Sequence, residues 1–268
     1  MRKGPGIAAL RAQRRATLRR LGQLPDPVWD VPCLPGWRIR DVVAHLVAVD
    51  EASVKGRIFP ALRADGRDGF ERWNDASIAR WAERSPEDLR EGLARWGARL
   101  ATMVRLTPSA AARVPFRAWF GRQPLLFLVY RRVLDEWVHE CDIAWASCPE
   151  GRREPAPAEP GVADVLAAAV LHPLPHLALP RVERTTGVVR LVVESGSEGR
   201  RTWGVDFARR QYGPRVTVRP DAVVRVDAGT LALVAEGRWS PTDVRERLTV
   251  EGDDEVARSL LDALAPIS

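Results

Sequence analysis

Hydrophobic residues in the first half of the chain recur three and four positions apart, as they do on one face of an amphipathic helix. Residues 7–22 show this spacing among many arginines. The same pattern predicts further helices over residues 38–56, 72–83, 85–107 and 124–146. The helix at 85 begins with Ser85-Pro86-Glu87-Asp88, where a serine N-cap is followed by a proline at the first helical position and an acid at the third. The predicted helix at 72–83 is short. The other four are the main helices, and with one long, irregular connection they predict a four-helix bundle.

The pattern changes after residues 149–160, a stretch rich in proline and charge that predicts a linker. Alternation of apolar and polar positions predicts strands over 188–194, 201–207, 215–219, 223–226 and 247–251, and short helices are predicted over 162–171, 230–235 and 253–264. Ser240-Pro241-Thr242-Asp243 repeats the helix-start signal. The fold class is therefore α+β: a helical domain, 1–150, precedes a small α+β domain, 161–268, with a mostly antiparallel sheet.

The charge balance is basic but does not point to a nucleic acid. The 268 residues contain 41 Lys+Arg and 35 Asp+Glu, a formal net charge of +6, and the basic residues are almost all arginines scattered among acids. DNA binding through the arginine-rich first helix is one interpretation, which predicts a steep salt dependence of affinity. Because the excess charge is small and not clustered, we expect no nucleic-acid partner.

The cysteines and the hydropathy indicate a soluble protein of a reducing compartment. Cys33, Cys141 and Cys148 are too few and too irregularly spaced for a disulfide framework or a zinc ribbon. The first residues lack the apolar core of a signal peptide, and no apolar stretch is long enough to span a membrane. We therefore expect a cytoplasmic location. Cys33 and Cys141 are expected to pack as small hydrophobic side chains rather than to act as ligands or nucleophiles.

Three polar residues fall on apolar helix faces. His45 shares a stripe with Val42 and Leu46, and Asp135 and His139 lie one helical turn apart, at i and i+4. Two histidines and a carboxylate form a three-ligand set that leaves a coordination position open, as in catalytic zinc sites, and the set also suits iron or nickel. The same spacing fits an Asp–His ion pair that fixes the helix, and a lone His45 fits a core histidine. The spacing leaves these alternatives open.

Two segments of the helical half resemble the mycothiol-dependent maleylpyruvate isomerase family. Residues 33–46 (CLPGWRIRDVVAHL) are similar to the segment that opens its second helix, and residues 135–143 (DEWVHECDI) to its fourth-helix segment. The family belongs to the DinB-like metal-binding bundles. Residues 220–228 with 252–254 look like its C-terminal domain, a small α+β unit similar to sterol carrier proteins.

The resemblance implies zinc held by His45, Asp135 and His139, and mycothiol, the low-molecular-weight thiol of actinobacteria, as cosubstrate. Zinc would stabilise a thiolate that attacks an electrophile. If the adduct later expels the thiol, the result is cis–trans isomerisation, and if the adduct keeps the thiol, the result is S-conjugation. The substrate is expected to be a small acidic molecule held by arginines of the second domain. The candidates there are Arg201, Arg225 and Arg238.

The chain departs from the family pattern at three positions. The family often has Glu at Asp135, Gln at Cys141 and Arg at Ala144. We therefore predict the broader class of thiol transferase or isomerase rather than maleylpyruvate isomerisation itself. The alternative is a non-catalytic module that carries a small molecule or a lipid. It is suggested by the resemblance of the second half to sterol carrier proteins.

Overall fold

The computed structural model describes residues 1–63, 66–118, 120–148, 153–196 and 199–264. The chain forms two compact units, Met1–Pro157 and Ala158–Ser268. Of the predicted linker, residues 149–152 lie outside the described residues, and residues 153–159 form neither helix nor strand. Among the helices in the described ranges, none combines the length and the apolar character needed to cross a bilayer.

The first unit is mainly helical. Its helices are α1 (Lys3–Leu21), α2 (Ile39–Val54), α3 (Ile58–Arg63), α4 (Gly66–Ala79), α5 (Pro86–Leu106), α6 (Ser109–Ala112) and α7 (Phe127–Ala146). Its strands form two hairpins, β1 (Pro32–Leu34) with β2 (Trp37–Arg38), and β3 (Pro115–Ala118) with β4 (Gly121–Pro124).

The four long helices form the predicted bundle. Helices α1 and α2 each pack against both α5 and α7. Apolar side chains that face one another across these contacts are excluded from water, and this burial is the main force that stabilises the bundle. Buried core residues include Val42, Val43, Leu46, Val47, Leu89, Leu93 and Ile143.

Helix α5 begins where its sequence signal predicts. The Ser85 hydroxyl accepts a hydrogen bond from the Asp88 backbone N–H at 3.1 Å, and Pro86 occupies the first turn. This bond satisfies one of the backbone donors that a helix start leaves without an intrahelical partner. Helix α4 begins and ends earlier than the predicted 72–83.

Two short hairpins lie before α2 and before α7, where the sequence pattern predicts no strand. Gly36 makes the turn between β1 and β2 with φ of 78°, a backbone conformation that favours glycine. Strands β3 and β4 pair in register from Pro115 opposite Pro124 to Ala118 opposite Gly121. Strands of two to four residues are too short for alternation to be recognised in a sequence, and prolines mark them as loops.

The second unit packs helices on one sheet. Its strands are β5 (Val188–Ser195), β6 (Gly199–Asp206), β7 (Gln211–Gly213), β8 (Ala222–Asp227) and β9 (Thr249–Gly252), and its helices are α8 (Pro160–Leu171), α9 (Leu174–Leu177), α10 (Ala228–Ala235) and α11 (Asp254–Leu264). The strand order is β7-β6-β5-β8-β9, in which only β5 and β8 are parallel. The α+β class and the mostly antiparallel sheet are thus confirmed.

Two predicted features of this unit are wrong. Residues 215–219 do not form a strand: the chain turns at residues 214–215, directly after β7, and Val216 packs on Gly204 of β6, so closely that a Cβ at Gly204 would collide with it. The strand that pairs with β6 is β7 instead. At the second start signal the Ser240 hydroxyl accepts from the Asp243 N–H, but only a turn and a short 3-10 helix, Arg245–Arg247, follow.

Candidate metal centre

The three predicted ligand side chains converge in the bundle. Helix α2 supplies His45, and α7 supplies Asp135 and His139. The Asp135 Oδ1 atom lies 3.4 Å from His45 Nε2 and 3.7 Å from His139 Nε2. One ligand atom of each residue lies within 4.8 Å of the other two. No second group of three His, Cys, Asp or Glu side chains was found to converge in this way in the part of the chain that the structure describes.

Each imidazole is oriented by a neighbouring oxygen that accepts a hydrogen bond from its Nδ1–H. The Nδ1–H of His45 donates to Asn74 Oδ1 at 2.6 Å, and the Nδ1–H of His139 donates to Asp142 Oδ2 at 3.0 Å. Each acceptor oxygen holds a proton on Nδ1, so that in the neutral form of each ring the Nε2 lone pair faces the carboxylate of Asp135. This is the tautomer that a metal ligand needs.

The electrostatic surroundings keep Asp135 ionised and disfavour protonation of His139. Burial raises the pKa of Asp135, but the hydrogen bond from His45 and the positive charge that His45, His139 and Arg132 carry when protonated outweigh it and hold that pKa well below its ordinary value. Burial lowers the pKa of His139, against the opposing effects of Asp142 and Asp135. An ionised carboxylate and a neutral imidazole are the protonation states that metal binding requires.

A network of buried charges lies behind Asp135. The Arg132 Nη1 atom lies 3.5 Å from Asp135 Oδ2, and Arg132 Nε donates to Asp50 at 2.8 Å. Arg14 from α1 contacts Asp50 at 2.7 Å and donates to both oxygens of Glu136, at 2.6 and 2.7 Å. Two arginines thus compensate two buried carboxylates, which makes the burial of four charges tolerable. Arg132 also lies within ion-pair distance of Asp135, so its charge acts on the carboxylate oxygen that is not paired with the histidines.

Sequence reasoning missed the residues that position the ligands. Arg14 lies on a helix whose many arginines suggest a basic face in contact with solvent. Arg14 is nevertheless only 7% exposed. Asn74 lies on α4, far from α2 in sequence, and no local pattern connects it to His45. One signal was available, since α7 places five charged or polar residues, Arg132, Glu136, His139, Glu140 and Asp142, on buried positions. A helix with that many buried ionisable groups points to a functional site.

A tryptophan and a cavity border the convergence point. The ring centre of Trp37, in β2, lies 5.5 Å from that of His45 and 6.3 Å from that of His139. On another side, a cavity with about 610 Å³ of empty space, part of it open to solvent, is lined by His45 and Asp135. A small molecule in this cavity therefore has access to the ligand side chains.

The three arginines predicted to bind substrate lie in the second unit and do not form one cluster. Arg201 pairs with Val193 and Arg225 with Val192, which are neighbours on β5, so the two arginines project from opposite faces of the sheet. Arg225 donates to Glu251 at 3.1 Å. Arg238 follows α10 and donates to the Glu236 carbonyl at 2.8 Å.

The cysteines are not among the converging groups. Cys141 is fully buried, its sulfur accepts from the Ala156 N–H at 3.2 Å, and burial raises its pKa to about 12. Cys33, in β1, packs half-buried against the hydrophobic core of the bundle. Cys148 is half-buried at the end of α7. Cys141 is therefore a packed, unreactive thiol.

Comparisons with known proteins agree with this architecture. The family model described as Mycothiol maleylpyruvate isomerase N-terminal domain matches residues 10–144, half of the chain. A crystal structure of a mycothiol-dependent maleylpyruvate isomerase has a TM-score of 0.55 and 16% sequence identity, and the match covers 94% of this chain and 93% of that one. A sterol carrier protein 2 like 2 from Aedes aegypti covers 37% of this chain and 93% of its own, with 17% identity and a TM-score of 0.31. None of the curated proteins matches by sequence.

The family match includes every residue of the convergence point and of the buried charge network, from Arg14 on α1 to Asp142 on α7. The likeness to the crystal structure extends over both units and concerns the fold. The chain therefore belongs to the family of the mycothiol maleylpyruvate isomerase N-terminal domain.

Proposed function

We propose that this protein is a zinc-dependent enzyme that uses mycothiol to isomerise or conjugate a small electrophile. The observation that carries the proposal is the convergence of His45 Nε2, Asp135 Oδ1 and His139 Nε2 beside a cavity. Membership of the family and the fold likeness to a mycothiol-dependent isomerase support the choice of thiol.

The donor set fits zinc. Two neutral imidazoles and one carboxylate are common ligands of catalytic zinc, and a set of three leaves a position for an exogenous ligand. Zinc bound there supplies a positive charge that holds a thiol as its thiolate near neutral pH. Iron and nickel accept similar donors and are the other candidate metals.

The chain's own residues orient the reacting groups. Asn74 and Asp142 fix the two rings, so that their Nε2 atoms need little rearrangement, and the charge of Arg132 faces the second oxygen of Asp135. Trp37 covers the two histidine rings on one side and leaves the cavity as the approach for a substrate. Such a partly enclosed site protects a thiolate from water and from competing electrophiles.

The two reaction outcomes differ only in the last step. The thiolate sulfur forms a bond to the β-carbon of a conjugated double bond, and the π electrons move to the carbonyl oxygen as an enolate. If the enolate expels the thiolate after rotation about the former double bond, the product is the isomer and the thiol is regenerated. If the enolate instead takes up a proton, the product is the S-conjugate.

Because the chain departs from the family pattern, the proposal names this reaction class and not maleylpyruvate isomerisation itself. Aspartate at position 135 has a shorter side chain than the glutamate that the family often carries there. Cys141 and Ala144 replace residues that are often Gln and Arg. The cytoplasmic location, the small acidic substrate and the substrate roles of Arg201, Arg225 and Arg238 remain predictions.

Metal content and thiol-dependent turnover test the proposal together. We expect about one zinc per chain in the purified protein, and we expect His139→Ala to lose both zinc and turnover. His172→Ala, a histidine of the second unit, serves as the matched control and keeps both. A folded wild-type protein that turns over electrophiles without metal contradicts the proposal. Zinc binding without thiol-dependent turnover of any electrophile favours the non-catalytic, ligand-carrying alternative.

A further inference from the structure

Two cavities lie side by side next to the candidate metal centre. The first is lined by His45 and Asp135 and has about 610 Å³ of empty space, and the second has about 700 Å³, both partly open to solvent. Ser53, Ile58 and Leu128 line both cavities, so the two spaces adjoin each other. A ligand whose reacting group lies in the first cavity can therefore extend into the second.

The second cavity is mostly apolar. Leu100, Val104 and Leu126 are among the side chains that line it, and Arg132 is the one charged residue among its described lining residues. Contact with an apolar ligand group removes apolar surface of both partners from water, whereas a charged group would lose its hydration there. The second cavity therefore suits an aryl or alkyl group.

Arg132 lines both cavities and is 5% exposed. Its Nε donates to Asp50 at 2.8 Å, and its Nη2 donates to the Leu46 carbonyl at 3.3 Å. Its Nη1 lies 3.3 Å from Glu136 and 3.5 Å from Asp135, yet no residue in the described part of the chain accepts a hydrogen bond from this atom. A buried donor without an acceptor is costly, so a ligand oxygen that accepts from Nη1 removes that cost.

The charges around Arg132 are balanced, which favours an uncharged ligand oxygen. The arginines that line the first cavity or pair with Asp50 are Arg14, Arg131 and Arg132. The carboxylates that line this cavity or pair with Arg132 are Asp50, Asp135 and Glu136. Because three positive charges match three negative ones, these residues offer no excess charge to compensate the desolvation of a carboxylate. A carbonyl oxygen accepts a hydrogen bond without adding a further charge.

We propose that the electrophile is an uncharged α,β-unsaturated ketone or aldehyde, whose carbonyl oxygen accepts a hydrogen bond from Arg132 Nη1 and whose aryl or alkyl body occupies the second cavity. The reacting double bond then lies in the first cavity, beside His45 and Asp135. The proposal rests on the proposed function, of which it names the substrate class. It departs from the small acidic substrate that the sequence predicts.

The same hydrogen bond gives Arg132 a part in the reaction. When the thiolate sulfur bonds to the β-carbon, the π electrons move to the carbonyl oxygen, which becomes an enolate. An N–H at this oxygen binds the enolate more strongly than the neutral carbonyl and so lowers the barrier to addition. Arg132 keeps its proton, because the enolate either expels the thiolate or takes up a proton from water at the α-carbon.

Binding of an unreactive ketone tests the proposal without requiring turnover. The probe is 4-phenyl-2-butanone, which has the carbonyl and the aryl body but no conjugated double bond. The acid 3-phenylpropionate has nearly the same shape with a carboxylate in place of the methyl ketone, and 2-butanone lacks the aryl body. Calorimetric titration of the full chain is expected to give an affinity at least about tenfold higher for 4-phenyl-2-butanone than for either of the other two. The acid is compared on protein freed of zinc by a chelator, because a bound metal would itself attract a carboxylate.

The infrared stretching frequency of the bound ketone, labelled with ¹³C at its carbonyl, reports the hydrogen bond directly. We expect this frequency to be lower in the protein than in an apolar solvent. Arg132→Lys keeps a positive charge beside Asp50 and Glu136 but removes Nη1. It is expected to lose most of the shift and to weaken ketone binding by about three- to tenfold. Arg117→Lys changes an exposed arginine of β3 that lines neither cavity, and it is the matched control that keeps both values.

A larger side chain in the second cavity tests where the aryl body lies. Val104→Phe is expected to weaken binding of 4-phenyl-2-butanone by about fivefold or more and to leave 2-butanone unchanged. Val114→Phe is the matched control, because Val114 is 50% exposed and lines neither cavity. Circular dichroism establishes that each variant is folded, and the ligand series and the frequency in the wild-type protein decide the proposal even where a variant is not.

Binding of 3-phenylpropionate as tight as that of the ketone overturns the proposal, and so does a carbonyl frequency that is unshifted in the wild-type protein or that Arg132→Lys leaves unchanged. The failure of the proposed function looks different, because it shows in metal content and thiol-dependent turnover. A protein without zinc that still binds 4-phenyl-2-butanone through Arg132 would contradict the proposed function and leave the ligand class standing.

Discussion

At the residue scale, each ligand of the candidate centre has a polar or charged neighbour on the atom that is not aimed at the other ligands. Asn74 and Asp142 accept from the two histidine Nδ1–H groups, and Arg132 contacts the second oxygen of Asp135. Fixed rings reduce the rearrangement that metal binding requires. Outer hydrogen-bond partners of this kind contribute to metal affinity because they set the tautomer and orientation of each ligand.

Removing the acceptor of His45 is expected to weaken metal binding. Asn74→Ala should lower zinc affinity by about 10- to 100-fold, since His45 loses the partner that selects its tautomer. Competition with a chromophoric chelator measures this affinity. Asn74→Asp keeps an acceptor oxygen at the same place and should restore affinity. An unchanged affinity in Asn74→Ala would contradict a positioning role for the residue.

The buried thiol is expected to resist modification. Burial raises the pKa of Cys141 to about 12, so its thiolate is scarce at pH 8 and still scarce at pH 9. Labelling by iodoacetamide in the native protein should therefore leave Cys141 unmodified while the half-buried Cys148 reacts, and raising the pH to 9 should not change this order. Mass spectrometry of peptides locates the label. Modification of Cys141 as fast as Cys148 would show that the side chain is not buried in solution.

At the element scale, the long helices could be predicted and the buried charges could not. Apolar spacing identifies α1, α2, α5 and α7 because each of them buries one face in the bundle. The same spacing places Arg14 on a basic face, although it lies between Asp50 and Glu136 of two other helices. Ion pairs that join residues of three helices cannot be detected from the hydrophobic periodicity of any one helix.

The absence of a side chain at Gly97 in α5 allows Arg14 to pair with Asp50 and Glu136. A Cβ built at Gly97 would overlap the guanidinium group of Arg14, so the glycine provides the space in which that group crosses to Glu136. Gly97→Ala should destabilise the protein by at least about 3 kcal/mol, because the buried charges lose their partner. Urea unfolding followed by circular dichroism measures the change.

Gly4→Ala is the matched control for that substitution. Gly4 is also helical, and a Cβ there meets nothing within 4 Å. Its substitution should leave stability unchanged or raise it by up to about 1 kcal/mol, since alanine is the better helix former. Equal effects of the two substitutions would mean that Gly97 does not accommodate Arg14.

At the scale of the whole molecule, every group of the candidate centre belongs to Met1–Pro157. The sequence motifs identified His45, Asp135 and His139 because spacing and family resemblance both apply to them. The arginines of the second unit were chosen by charge alone, and two of them project from opposite faces of the sheet. Residue type alone, without a register to place it, therefore leaves the face on which a side chain lies undetermined.

The first unit is expected to fold and bind metal alone. A fragment of residues 1–157 keeps the hydrogen bonds from Trp137 to Ala156 and from Ala156 to Cys141, which end the unit. It should give a cooperative thermal transition and bind zinc with an affinity within about tenfold of the full chain. A fragment that is unfolded, or that is folded but does not bind zinc, would show that the second unit is needed for the site.

The most direct test of the metal centre is an anomalous difference map from crystals of the zinc-containing protein, measured above and below the zinc absorption edge. The account predicts one strong peak about 2.0–2.2 Å from His45 Nε2, Asp135 Oδ1 and His139 Nε2. A catalytically active crystal without a peak at these three atoms, or with its zinc bound elsewhere, would contradict the account.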